Sequence, residues 1–153
     1  MKRVYATVVG ILIIAMAAPL WGASCEQVVR QLNSRLSTRL DEAELVEALR
    51  SLNSSGNRAL PEKFVTKRAA RAAGWRPGSS LWSVTGLRGK SIGGNRFGNR
   101  ERRLPDAGRK WREADLGYKG GHRGAKRLLF ADDGLRMVTV DHYRTFTGVP
   151  ACR

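Results

Sequence analysis

The stretch RKWREADLGYKGGHRGAKRLLFADDGLRMVTVDHYRTFT, residues 109–147, decides the fold class of this chain. Its pattern predicts four strands, which we place at 109–115, 126–131, 135–140 and 143–147. Asp132-Asp133-Gly134, between the second and third strands, is typical of a tight β-hairpin. A hairpin joins antiparallel strands, so the stretch indicates an antiparallel β-sheet.

The chain before this sheet has a helical pattern. Apolar residues recur at three- and four-residue spacing over residues 26–52, which predicts two helices, the second with Asp41, Glu42 and Glu44 in its first turn. A third, short helix is predicted at 67–73, with Thr66 as its N-cap and Gly74 at its end. Helices followed by antiparallel strands indicate an α+β fold, with the N-terminal helices packed on one face of an antiparallel β-sheet.

The chain is short and strongly basic. Its 153 residues hold 28 Lys and Arg against 13 Asp and Glu, a formal net charge of +15. This length favours one domain, and 42% hydrophobic residues are enough for a packed core. Two cysteines and two histidines exclude a zinc- or disulfide-framework protein. Such a charge indicates a polyanionic partner, either nucleic acid or a membrane surface; a merely soluble cationic protein is the alternative.

The first 24 residues have the layout of a secretory signal peptide. Lys2 and Arg3 precede an apolar run at 4–18, and small residues follow it. We expect cleavage after Ser24, with cleavage after Ala23 as the less favoured alternative, and a secreted or periplasmic location. Loss of the two basic residues lowers the formal charge from +15 to +13, so the basic character belongs to the folded part. An uncleaved anchor is the alternative, because the apolar run is nearly long enough to span a bilayer.

The two cysteines, Cys25 and Cys152, lie near opposite ends of the exported chain. In an oxidising compartment they can form a disulfide. Closing so long a loop would contribute roughly 4–5 kcal/mol in the chain-entropy model. The alternative is lipidation of Cys25, which would leave Cys152 as a free thiol. Without that lipid we expect no stable membrane partner.

Several common catalytic motifs are absent from the sequence. The run Gly93-Gly94-Asn95-Arg96-Phe97-Gly98 lacks the Lys-Ser/Thr that completes a phosphate-binding loop, and no serine nucleophile elbow is present. Glu113 and His142 remain, set among several cations. An acid, a histidine and cations are what metal-free RNA cleavage requires, because the ribose 2′-hydroxyl supplies the nucleophile. By residue type alone, a surface ion pair is the more frequent role for Glu113, as a structural role is for His142.

Eight runs of the sequence together follow the pattern of one enzyme family. They are LPEKFVTK (60–67), AGW (73–75), GKSIGG (89–94), FGNRE (97–101), LP (104–105), WREAD (111–115), the hairpin around Asp133 and DHYRTFT (141–147). In these runs, which span 88 of the 153 residues, the chain resembles the barnase-like, guanyl-preferring microbial ribonucleases. The resemblance implies their α+β fold and a ribonuclease domain at 59–153. The helical segment at 25–58 is then either part of that domain or an added cap.

The resemblance also implies catalytic roles. Glu113 would be the general base and His142 the general acid, with no metal or other cofactor. Three cations would contact the phosphate: Arg123, Arg127 and Lys67. Asp115 would pair with the two arginines and hold them in place.

The same resemblance places guanine on the loop 97–101. Backbone N–H groups would meet its O6 atom, Glu101 would accept from N1–H and N2–H₂, and Arg100 would lie over the base. The implied substrate-binding residues are Phe97, Asn99, Arg100, Glu101 and Tyr143. The arginines at 68, 71, 102 and 103 are interpreted as solvated charge that raises non-specific affinity for RNA.

Two positions near this site depart from the family pattern. Asn95 replaces an aspartate beside the expected base, which would alter the rate and the pH optimum. His122 replaces an aromatic residue next to Arg123, and would stack on a substrate base or cover the rim of the site. Both are therefore kept as candidate substrate-binding residues.

The sequence thus predicts a secreted, monomeric, metal-independent endoribonuclease. It would cleave single-stranded RNA 3′ of guanosine to a 2′,3′-cyclic phosphate and then hydrolyse that product. The expected partners are RNA and a small acidic inhibitor of the barstar kind, and the role is that of an antibacterial toxin or of a scavenging nuclease. The alternative function is a non-catalytic cationic exported protein that binds RNA or acts on membranes.

Overall fold

A computed structural model describes residues 22–153, so the predicted signal peptide lies almost entirely outside the described residues. The helices are α1 (Cys25–Asn33), α2 (Glu42–Ser54) and α3 (Lys67–Ala72), with a 3-10 turn at Leu81–Ser83. The strands are β1 (Phe64–Val65), β2 (Ser91–Arg96), β3 (Trp111–Asp115), β4 (Arg127–Ala131), β5 (Arg136–Thr139) and β6 (Thr147–Gly148). They form one sheet in chain order, and every neighbouring pair is antiparallel except β1 with β2. The predicted α+β class is confirmed.

Helices α1 and α2 begin at well-formed caps. The Ser24 hydroxyl accepts from the backbone N of Gln27, whose side chain in turn accepts from the backbone N of Ser24. Asp41 caps α2 by accepting from the backbone N of Glu44 at 3.0 Å. Cleavage after Ser24 would remove the side chain that caps α1, a contribution of about 1 kcal/mol in typical helices.

One face of the sheet packs against these two helices. Side chains alternate along a strand, so Ala114, Leu128 and Val138 point together to the helix side. There they share one core with α1 and α2, in which Leu45 and Leu49 are fully buried. Burial of each such leucine contributes about 1.5–3 kcal/mol. The segment at 25–58 therefore supplies ten of the sixteen buried residues of the main core.

The opposite face of the sheet carries the polar side chains. Trp111, Glu113 and Asp115 alternate with the core residues of β3 and lie on this second face. Trp111 donates from Nε1 to the carbonyl of Pro105 at 3.0 Å. That contact holds the loop between β2 and β3 against the start of β3.

Strand β2 lies in a glycine-rich region for which the sequence predicted no strand. The register of β2 against β3 shifts between Gly93 and Asn95, and Gly94 in between has φ +85°. At Gly93 an added Cβ would lie 2.7 Å from Cδ1 of Phe64. The glycines thus serve a β-bulge and a close approach within a strand. After the bulge, Asn95 pairs with Glu113 across the two strands.

The predicted strand at 143–147 is wrong: only Thr147–Gly148 forms β6, and residues 141–146 form a loop. The carboxylate of Asp141 organises this loop by accepting from the hydroxyls of Thr139 and Thr145 and from the backbone N atoms of Arg144 and Thr145, at 2.6–3.1 Å. These local bonds compete with strand pairing.

Acid titration should reveal the contribution of Asp141. Its hydrogen bonds, led by that from the Thr145 hydroxyl, lower its pKa from 3.8 to about 2. Since the pKa is lower in the folded state, the stabilisation is complete above the unfolded pKa and is lost as the pH falls through about 2. We expect the difference in unfolding free energy between the wild type and Asp141→Asn to be constant at neutral pH and to shrink below about pH 4. Urea unfolding measures it, with Asp106→Asn as the exposed control; a pH-independent difference would contradict the assignment.

The structure pairs Cys25 with Cys152 in a disulfide. It fastens the start of α1 to the C-terminal segment, where the backbone N of Cys25 donates to the Arg153 carbonyl and the Arg153 N donates to the Ala23 carbonyl. Among residues 22–153, no helix is both long enough and apolar enough to cross a bilayer.

Candidate active site

Glu113 lies at the centre of the polar face and its side chain is only 8% exposed. One carboxylate oxygen is 3.3 Å from Nζ of Lys67, and the other accepts from the Tyr143 hydroxyl at 2.6 Å. A nearly buried carboxylate with one cation and one hydroxyl donor is suited to exchange a proton with a bound ligand.

Lys67 and Asn95 form the edge of the site beside Glu113. Lys67 is the first residue of α3, which Thr66 caps, and its backbone N donates to the Asn95 side-chain oxygen at 2.9 Å. The Asn95 Nδ2 atom is buried and has no hydrogen-bond partner among the described residues. Asn95 thus positions the helix that carries Lys67, and it places no second carboxylate opposite Glu113.

Two arginines share one buried carboxylate next to Glu113. Asp115 accepts from Nε and Nη2 of Arg123 at 2.5 and 2.6 Å, and its Oδ1 atom is also 3.0 Å from Nε of Arg127. The hydrogen bond to Asp115 raises the pKa of Arg123. Two guanidinium groups on a single carboxylate leave one positive charge in excess, and this geometry suits a phosphate group.

Tyr143 connects Glu113 to this arginine pair. Its hydroxyl donates to Glu113 and accepts from Nε of Arg127 at 3.1 Å. Burial, together with the hydrogen bond to Glu113, raises the pKa of Tyr143 to about 12. The phenol therefore remains protonated at neutral pH.

A cleft of about 890 Å³ is lined by Tyr143, but not by the carboxylate and the arginine pair that its hydroxyl connects. The loop 96–101 forms one wall, and the loop 142–146 forms the other. Phe97 and Tyr143 stack across it, with ring centroids 5.3 Å apart, and the exposed ring of His142 lies 5.0 Å from the Tyr143 ring. His142 and Tyr143 both have positive φ, 56° and 67°, a strained conformation that concentrates at functional sites.

The loop 97–101 presents backbone and charged groups to the cleft. The Asn99 side chain both donates to the Leu104 carbonyl and accepts from its N atom, at 2.9 and 3.0 Å. Asn99 therefore fixes the shape of the loop through two hydrogen bonds between its side chain and the Leu104 backbone. Arg100 and Glu101 are exposed on the wall, as a base-binding role requires.

The structure brings most of the candidate residues together, with two differences from the sequence analysis. His122 is exposed on the connection between β3 and β4 and does not line the cleft. Arg103, interpreted as solvated charge, lines the cleft and forms an ion pair with Glu101. No sequence signal distinguished Arg103 from its neighbour Arg102.

Residues 22–153 hold no group of three or more His, Cys, Asp or Glu side chains that could bind a metal ion.

Comparison with known proteins places this site in a family. A family model described as ribonuclease matches residues 49–150, two thirds of the chain. The chain belongs to the ribonuclease family. The match contains every side chain of the candidate site from Lys67 to Tyr143, whereas α1 and Cys152 lie outside it. The resemblance seen in the sequence is confirmed.

Curated relatives support the same assignment. The chain is 48% identical over 91 residues to proteins named ribonuclease from Bacillus intermedius and Bacillus pumilus, which covers 59% of this chain and 56% of each relative. It is 47% identical over 91 residues to a ribonuclease from Heyndrickxia coagulans, covering 83% of that protein. The matched part thus spans little more than half the length of the two Bacillus ribonucleases.

Proposed function

We propose that this ribonuclease-family chain is a metal-independent endoribonuclease that cleaves single-stranded RNA on the 3′ side of guanosine. The observation that carries the proposal is the nearly buried Glu113, held between Lys67 and Tyr143 beside the Arg123–Asp115–Arg127 cluster. A proton acceptor and an excess of fixed positive charge thus meet at one point of the sheet.

In the first step, Glu113 removes the proton of the ribose 2′-hydroxyl. The 2′-oxygen attacks the adjacent phosphorus, the bond from phosphorus to the 5′-oxygen breaks, and His142 protonates the departing 5′-oxygen. The products are a 2′,3′-cyclic phosphate and a free 5′-hydroxyl. Arg123, Arg127 and Lys67 stabilise the extra negative charge on the phosphorane, where preorganised donors contribute most.

The second step hydrolyses the cyclic phosphate with the roles exchanged. His142 removes a proton from water, the water oxygen attacks phosphorus, and the bond to the 2′-oxygen breaks. Glu113 returns its proton to that oxygen, which leaves a 3′-phosphate and restores both groups. DNA would be bound and not cut, since it lacks the 2′-hydroxyl.

The cleft supports guanine as the base on the 5′ side. Its wall presents the Glu101 carboxylate, which can accept from the N1–H and N2–H₂ groups of guanine, and the exposed Arg100, which can lie over the base. Adenine offers no N1–H donor to that carboxylate.

We extend the proposal to location and partners. The signal-peptide layout at 1–24 supports export, and a disulfide at Cys25–Cys152 is compatible with an oxidising compartment. The formal charge of +13 that remains after loss of residues 1–24 supports RNA as substrate and would attract a small acidic inhibitor. A toxin requires such an inhibitor in its producer and a scavenging nuclease does not, so an adjacent gene for a small acidic protein would favour the toxin.

The deciding experiment is incubation of the purified mature protein with RNA in the presence of EDTA. We expect fragments that end first in guanosine 2′,3′-cyclic phosphate and later in guanosine 3′-phosphate, formed at a rate that EDTA does not change. RNA that is retarded on a gel without fragmentation would favour the non-catalytic RNA-binding alternative. Strong inhibition by EDTA would contradict the metal-free mechanism.

A further inference from the structure

Arg103 joins the two walls of the cleft. Its Nε atom forms an ion pair with Oε2 of Glu101 at 2.6 Å, on the same wall. Its Nη1 atom donates to the backbone carbonyls of Tyr143 and Arg144 at 3.3 and 3.1 Å, on the opposite wall. One guanidinium group thus links the candidate guanine acceptor to the loop that carries His142.

The carbonyls that hold Arg103 are themselves fixed. They belong to the loop 141–146, in which the Asp141 carboxylate accepts from two backbone N atoms and two hydroxyls. An ordinary exposed ion pair contributes little because both side chains are free to move. Here the arginine is anchored to backbone, and only the carboxylate remains to be ordered.

Glu101 needs such an anchor. Its side chain is 73% exposed, and Arg103 is its one ion-pair partner among the described residues. A carboxylate that binds guanine must face two adjacent N–H donors in one plane, and a freely rotating side chain loses entropy when it adopts that orientation. The two oxygens of a carboxylate have about four acceptor positions, so a contact with Arg103 leaves room for both guanine donors.

We propose that Arg103 is a specificity-determining positioning residue, which holds the Glu101 carboxylate in the orientation that accepts guanine. The proposal rests on the guanine preference proposed above. Arg103 acts through Glu101 and touches no reacting atom, so its loss should weaken guanine recognition and leave the cleavage chemistry intact.

The test compares kcat/KM for guanylyl-(3′,5′)-uridine and adenylyl-(3′,5′)-uridine in the wild type and in Arg103→Gln. We expect the variant to lose about three- to tenfold on the guanylyl substrate and almost nothing on the adenylyl substrate, the range for ordering one flexible side chain. Arg103→Lys keeps the positive charge but lacks the planar guanidinium group. Its kcat/KM for the guanylyl substrate should lie between those of the wild type and Arg103→Gln.

Arg102→Gln is the matched control. Arg102 is the exposed neighbour, and its side chain forms no ion pair or hydrogen bond within residues 22–153. Arg102→Gln removes the same charge as Arg103→Gln, so it should change kcat/KM by the same factor for both substrates. Equal losses in Arg103→Gln and Arg102→Gln, or an unchanged guanylyl-to-adenylyl ratio in Arg103→Gln, would overturn the role of Arg103 and leave the proposed function standing.

A binding measurement makes the test independent of turnover. The Kd of guanosine 3′-monophosphate should rise by the same factor in Arg103→Gln, and the Kd of adenosine 3′-monophosphate should not change. A wild type that cleaves both dinucleotides equally would overturn the guanine preference and the role of Arg103 together. Unfolding curves check that the variant is folded.

Discussion

Replacing Glu113 by glutamine is expected to lower kcat by about 10²–10⁴, the usual contribution of a general base. Glutamine preserves the size of the side chain and can still accept a hydrogen bond from the Tyr143 hydroxyl, but it cannot take the proton of the 2′-hydroxyl. The effect should therefore fall on kcat more than on KM. Steady-state cleavage of a guanylyl dinucleotide measures both constants.

Glu47→Gln is the control for this variant, because Glu47 is an exposed acid on α2, on the helix side of the sheet. It removes the same charge and should leave kcat unchanged. The losses in the two single variants should not add up, because the two groups act as one unit. The double variant Glu113→Ala, His142→Ala should therefore be only slightly less active than the less active of the two single variants. Activity near that of the wild type in the double variant would refute both assignments.

Removal of the disulfide is expected to lower the free energy of unfolding by about 2–5 kcal/mol. The bridge joins residues 127 apart in sequence, and without it the unfolded chain gains the entropy of a very long loop. In a protein of this size the melting temperature should fall by on the order of 10 °C or more. Thermal and urea unfolding of Cys25→Ser, Cys152→Ser measure the loss.

Dithiothreitol provides the matched comparison. It should lower the melting temperature of the wild type to that of the double serine variant and should not affect the variant. Turnover at 25 °C should be preserved, because the bridge belongs to the helix-side core and not to the cleft. Mass spectrometry of the mature protein identifies the cleavage site and the state of the two cysteines. A lipid on Cys25, or two free thiols, would contradict the disulfide.

Local sequence was sufficient for much of the fold. The acidic run at 41–44 predicted the first turn of α2, the N-cap Thr66 predicted the start of α3, and the Asp132-Asp133-Gly134 turn predicted the β4–β5 hairpin. These features depend on residues close in sequence, so their pattern is readable directly. The predictions failed where the conformation depends on bulges, loop hydrogen bonds or contacts with residues distant in sequence. The glycines of β2 are explained by Phe64 and a bulge, and the loop 141–146 by the hydrogen bonds of Asp141.

By itself the sequence determined the family, the α+β class and the chemical types present at the site, because these depend on residue identity and order. Only the tertiary structure decided which groups meet. It placed the Tyr143 hydroxyl between Glu113 and Arg127, and the Arg103 guanidinium between Glu101 and the loop that carries His142. Such contacts join residues up to 41 positions apart and depend on strand register and loop conformation, which no local pattern encodes.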